Sequence, residues 1–189
     1  MKSLFVRISL IAGFLLPFQL AWSDVHFLLE AGVHTGGDEL IHVTFSDGST
    51  ASIKGGSLVT LGAGLAANIT DKLELRFVEN YKADSVNASN GSIDFTRWVS
   101  NLLLLYRVDK WKLGGGLTHH RNIKLKGDGV ASVLNVNFDD AVGTVLEADY
   151  QFGPHAYFGG QYTNIKYPVT GLSSKVDGSS IGVVIGYVF

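Results

Sequence analysis

The chain has 189 residues, a formal net charge of −2, 46% apolar residues and no cysteine. That composition excludes a disulfide framework, a thiolate metal site and a lipid-anchored N-terminal cysteine. The mild acidity, spread along the chain, gives no basic surface for nucleic acid.

Lys2 and Arg7 open the chain, an apolar run follows from Ile8 to Leu20, and Ala21-Trp22-Ser23 places small residues at the −3 and −1 positions before Asp24. This layout predicts a secretory signal peptide over residues 1–23, read by the Sec pathway. A membrane anchor fits less well, because Arg7 and Pro17 interrupt an apolar core that is already short. The predicted mature domain is residues 24–189. Losing Lys2 and Arg7 takes its charge from −2 to −4. Past the leader no apolar run approaches the length of a membrane helix. Apolar residues recur at every second position instead, which is the strand period.

Reading for that period gives eight strands. The first is Val25–Gly36, with Phe27, Leu29, Ala31 and Val33 on one face. The second, Ser57–Ile69, alternates Val59, Leu61, Ala63, Leu65, Ala67 and Ile69. The third is Lys72–Lys82, the fourth Asp94–Val108 and the fifth Trp111–Asn122. The sixth is Phe138–Phe152 and the seventh His155–Tyr167. The eighth is SSIGVVIGYVF, with Ile181, Val183, Ile185, Tyr187 and Phe189 on one face. Glycines inside several of these segments disfavour helix.

The connections alternate in length. Thr70-Asp71-Lys72, Asp109-Lys110 and Gly153-Pro154 read as tight turns. Residues 37–56, 83–93, 123–137 and 168–178 read as long polar loops. Short and long connections in alternation are the pattern of a transmembrane β-barrel. The fold class expected is therefore all-β, an eight-stranded antiparallel up-and-down barrel.

The two faces differ in kind. One carries large apolar residues, with Tyr106, Trp111, Tyr150, Phe152, Tyr187 and Phe189 near the tight turns. The other carries Glu30, Glu74, Arg76, Arg97, Arg107, Lys112, Glu147 and Asp149, with His34, Asn101, His120 and Gln161. A soluble barrel would show the reverse arrangement. Aromatic girdles belong at a membrane interface, so the greasy face is expected to look at lipid and the charged face inward. Four acids and four bases in a narrow lumen are expected to pair into one network, because a lone buried ion costs several kcal/mol. Leu28, Val78, Val99, Leu103, Leu105, Val145 and Ile165 share that inward face.

A closed barrel leaves no strand edge unpaired in hydrocarbon, so the last strand must pair with the first. The stretch ending at Phe189 resembles the C-terminal assembly signal of bacterial outer-membrane proteins. Ser180, Gly182, Ile185 and Tyr187 carry its polar–glycine–apolar–aromatic spacing. With the leader and the alternating connections, the chain resembles the small outer-membrane barrels of the OmpA, OmpX and OmpW type. The resemblance implies contact with outer-membrane lipid and lipopolysaccharide, a monomer, and recognition of Tyr187 and Phe189 by the barrel-assembly machinery. It implies neither cofactor nor metal.

Three roles follow from the resemblance. A packed lumen implies a structural or surface-interaction role. An OmpW-like conduit for small hydrophobic compounds would run past Leu103, Leu105 and His120. A lipid A-modifying enzyme would need a His-x-Ser on one strand face, but the positions two beyond His119 and His120 are Arg121 and Asn122. His119 and His120 are strand neighbours and point to opposite faces, so they cannot share one metal ion. In residues 37–56, HVTFSDGSTASIK alternates around Asp47-Gly48, a hairpin signal. That ribbon either caps the barrel mouth or stands clear of it, where its edge could take a partner's strand, as in OmpX-like proteins.

Overall fold

In the computed structural model, residues 25–44, 50–88 and 91–189 are described. The predicted leader with its cleavage site, and the Asp47-Gly48 turn, lie outside them. Thirteen strands follow in chain order. They are β1 (Val25–Thr35), β2 (Glu39–Thr44), β3 (Thr50–Lys54), β4 (Leu58–Thr70), β5 (Leu73–Ala88), β6 (Gly91–Val108) and β7 (Trp111–Gly129). Then come β8 (Asn135–Asn137), β9 (Ala141–Gln151), β10 (Ala156–Asn164), β11 (Lys166–Pro168), β12 (Lys175–Asp177) and β13 (Ser180–Val188).

Eight of these make the wall. Antiparallel ladders run β6-β5-β4-β1-β13-β10-β9-β7, and β7 pairs back with β6 to close the ring. The seam between first and last strands runs from Leu28 opposite Val188 to Thr35 opposite Ile181. Closure pairs the backbone groups that an open edge would strand in hydrocarbon. The tight turns fall at the predicted positions, and Asp109 takes the left-handed conformation (φ 52°) that a two-residue hairpin turn asks for.

Two loop predictions need correction. Residues 83–93 and 123–137 are largely strand. β5 runs on to Ala88, β6 starts at Gly91, and β7 continues to Gly129. These three strands have 16, 18 and 19 residues, where about 9–11 tilted residues cross a bilayer. They stand as a tall wall on the side opposite the tight turns. The predicted sixth strand narrows to Ala141–Gln151 and the seventh to Ala156–Asn164, with Lys166–Pro168 a separate short piece.

The exterior is apolar where it meets lipid: Leu61, Leu117, Leu146, Ile181 and Val183 all project outward. Near the tight turns Trp111 stacks edge-on against Tyr150 and Tyr187 against Phe189. At the other edge Tyr81 meets Trp98 at 5.2 Å. Above that pair the outer face turns polar through Thr96, Asp94, Lys124 and Lys126, which marks the end of the hydrocarbon zone. Ile93, Phe95, Ile123 and Leu125 point inward there and form an apolar cap with Ile53, Phe138, Ala141, Ile165 and Tyr167. The β2–β3 ribbon packs onto this cap through Leu40, Ile41 and Val43. Of the two arrangements open to it, the ribbon covers the mouth.

Candidate functional site

The alternation of each strand delivers the charged side chains to the lumen, and the shear of the barrel sorts them into tiers. The lower tier is organised by Arg76 of β5, which is fully buried. Its Nε donates to Glu74 Oε1 at 3.0 Å, and its Nη1 donates to Glu147 Oε1 at 2.7 Å and Asp149 Oδ2 at 2.8 Å. Those last two bonds tie β5 to β9, three strands away around the ring. Its guanidinium also lies 4.5 Å from the centre of the Tyr157 ring. Lys112 pairs with the other oxygen of Glu74. The Tyr157 hydroxyl donates to Glu30 at 2.8 Å, and the Gln161 amide donates to Glu147 at 2.7 Å.

This network differs from the expected set of eight. Glu74, Arg76, Lys112, Glu147 and Asp149 are brought together, and Glu30 joins through a tyrosine. Arg107 is only half-buried, at the rim beside Asp71, Lys72 and Lys112. Arg97 is fully buried but sits in the upper tier. Acids and bases are equal in number along the inward face, yet they do not mix evenly. Four carboxylates gather below around Arg76 and Lys112, while Lys82 and Arg97 stand above with Asp84.

Apolar inward residues pack beside these charges, with Leu103 opposite Arg76 and Leu105 opposite Glu74 in the ladder. Leu103, Leu105 and Val145 form one packed cluster, and Leu28, Ala66 and Val78 another. His120 is buried; its Nδ1 lies 2.7 Å from the Tyr167 hydroxyl and its Nε2 3.1 Å from Thr118 Oγ1. His34 meets Thr60 Oγ1 at 3.2 Å. His119 is on the outer face, 3.9 Å from Asp140. Among the described residues there is no cluster of three or more side chains suited to a metal ion.

Several luminal residues were missed in the sequence. Lys82, Asn80 and Asp84 continue the inward parity of Glu74, Arg76 and Val78 along β5, and all three are buried. Tyr157 shares the parity of Gln161. The signal was present in both strands: Asn80 and Lys82 lay inside the predicted third strand, Asp84 just beyond its end, and Tyr157 beside outward Phe158.

The upper tier meets the bulge between β6 and β7. The register shifts between Thr96 and Trp98, and Asn122 opposite takes φ 51°. That extra residue moves the inward parity of β7 from even positions to odd, so Ile123 and Leu125 face the cap. Above the cap, loop segments hold one another: the Asp177 N–H donates to Asp38 at 2.8 Å, and the Ser179 N–H donates to Asp177 at 2.9 Å. The Ser179 hydroxyl and its backbone N–H hold the Asp177 carboxyl below its ordinary pKa.

Concavities also occur on the outer wall. A groove of about 720 Å³ lies over Gly160 and Gly182, flanked by Leu58, Leu146, Tyr162 and Val183. A second, of about 440 Å³, lies over Gly62 and Gly186. Both open toward lipid.

A closed antiparallel ring, greasy outside and charged within, defines a class: the small eight-stranded barrels of the bacterial outer membrane. Solved structures agree at the level of fold. The attachment invasion locus protein Ail of Yersinia pestis, solved with the heparin analogue sucrose octasulfate, aligns over 87% of this chain and 97% of its own, with TM-score 0.54 and 10% identity. Neisserial surface protein A aligns over 88% of this chain and 97% of its own, with TM-score 0.53 and 10% identity. No protein-family model and no curated protein sequence matches the chain.

Proposed function

We propose that the protein is a monomeric, non-catalytic outer-membrane barrel whose lumen is a structural plug and whose tall end carries a surface interaction. The observation behind this reading is Arg76. Its bonds to Glu74, Glu147 and Asp149 span the lumen, packed leucines stand beside it, and an apolar cap covers the upper end. A guanidinium so held is fixed in place, since each charge-assisted bond removed would leave a buried carboxylate unpaired.

The surface role rests on β5, β6 and β7, which rise well past the hydrocarbon zone and support a cap with its own apolar core. Arg121, Lys124 and Lys126 on their outer face lie where lipopolysaccharide phosphates would run. Ail, alike in fold only, is an attachment protein that holds a heparin analogue, a precedent for placing the interaction at the surface end of such a barrel. Residues 1–23 serve as the export leader in this reading, and Tyr187 and Phe189 as the mark for barrel assembly.

Proteoliposomes test the plug and the absence of catalysis together. Vesicles holding the refolded protein are expected to take up small sugars, and alkyl sulfonates whose charge bars them from the bilayer but whose tails suit a hydrophobic conduit, no faster than empty vesicles. Lipopolysaccharide incubated with them is expected to keep its lipid A mass. Faster uptake of the sulfonates would point to a conduit past Leu103 and Leu105, and a changed lipid A mass to an enzyme.

A further inference from the structure

The upper lumen poses a problem that the lower network does not. Lys82 of β5 and Arg97 of β6 stand directly opposite each other across the ladder, both facing inward. They are 4% and 0% exposed. Like charges opposed on one sheet face repel, and each buried ion without a counterion costs several kcal/mol.

Protein groups answer little of that cost. The Arg97 guanidinium donates from Nη2 to the Ser57 carbonyl at 2.6 Å and lies 4.4 Å from the centre of the Phe95 ring. Its Nε and Nη1 have no partner among the described residues. The Lys82 ammonium has one long bond, 3.4 Å to Ser180 Oγ. No carboxylate pairs with either cation among the described residues; every luminal ion pair belongs to Arg76 or Lys112. Asp84, the next inward residue along β5, forms none. Thr60 stands opposite Lys82 on the other side and holds His34, whose Nδ1 is also unpartnered.

Four luminal acids are committed to the lower tier; among the described residues Asp84 alone stands near these two cations and pairs with neither, and Arg97 cannot shed its proton. We propose that the upper lumen holds a small inorganic anion of the halide class between the Lys82 ammonium and the free Nε and Nη1 edge of Arg97. The anion completes the charge balance of the plug, so it is structural and not in transit. The site is separate from the Arg76 network and stands whether or not the barrel has a surface partner.

Bromide is the probe. Refolded protein is heated in bromide–gluconate mixtures of constant ionic strength, gluconate serving as the large carboxylate counterpart, and unfolding is followed by tryptophan fluorescence. The wild type is expected to unfold at temperatures that climb with bromide. Lys82→Glu places a carboxylate opposite Arg97, so this variant is expected to fold and to lose the bromide dependence. Lys82→Met, if it folds, is expected to show a weakened dependence. Crystals soaked in bromide are expected to give an anomalous peak between the two side chains. A wild type indifferent to bromide, a dependence that survives Lys82→Glu, or a peak elsewhere in the lumen with none at this place would each overturn the proposal.

Discussion

At the scale of single residues, the lumen is governed by how few partners each buried charge has. Arg76 has three carboxylates, so its loss would leave Glu74, Glu147 and Asp149 crowded without their cation. Arg76→Met is therefore expected to destabilise the barrel by about 3–5 kcal/mol, read by urea unfolding in lipid vesicles. Removing the partners with it, as Arg76→Met with Glu147→Gln and Asp149→Asn, is expected to restore most of that loss. A triple variant no better than the single one would mean that Arg76 acts by shape alone. Asp177 gives a pH signature outside the membrane. Hydrogen bonds from Ser179 lower its folded pKa, so its contribution is present above the unfolded value and is lost as pH falls through the folded one. The protection factor of the Ser179 amide against exchange is expected to hold through neutral pH and to fall below about pH 4; an equal fall in Asp177→Asn would separate it from this carboxylate.

At the scale of elements, β6 explains both what could be read from the sequence and what could not. From Val108 up to Trp98 its outward, even positions are apolar or aromatic apart from Ser100, through Tyr106, Leu104 and Leu102. At Thr96 and Asp94 the even positions turn polar and Phe95 and Ile93 leave apolar residues only at inward, odd positions, although the backbone alternation is unchanged. The solvent has changed: lipid lies outside the lower part, and water outside the upper. A reader following one greasy face loses the strand at that point, which is why residues 83–93 and 123–137 look like loops. β7 adds a bulge at Asn122 that no composition announces. The inner apolar face of this upper wall is what holds the cap. Phe95 contacts Phe138 and Tyr167, so Phe95→Ala is expected to remove about 3–5 kcal/mol of packing from the cap. Limited proteolysis is expected to cut the cap loops faster while the barrel still resists unfolding in detergent. Unchanged cleavage would show that the loops are held by something other than this cluster.

At the scale of the whole molecule, closure was legible because hydrocarbon permits so few solutions. Period two, alternating connections and a terminal strand with one apolar face leave a ring as the way to satisfy every backbone group. The placement of Glu30, Glu74, Arg76, Lys112, Glu147 and Asp149 on the inner face follows from the same parity. Which of them pair does not, because pairing depends on the stagger between strands two or three places apart. Equal numbers of acids and bases suggested one network, whereas the stagger separates Arg97 and Lys82 from every carboxylate that binds Arg76. The central claim is that this arrangement shuts the lumen, and single-channel recording of the refolded protein in a planar bilayer tests it most directly. At moderate salt the wild type is expected to stay silent, with folding verified by its heat-modifiable gel mobility. Steady unitary steps from demonstrably folded protein, blocked by long-chain hydrophobic solutes, would contradict the plug and establish a conduit.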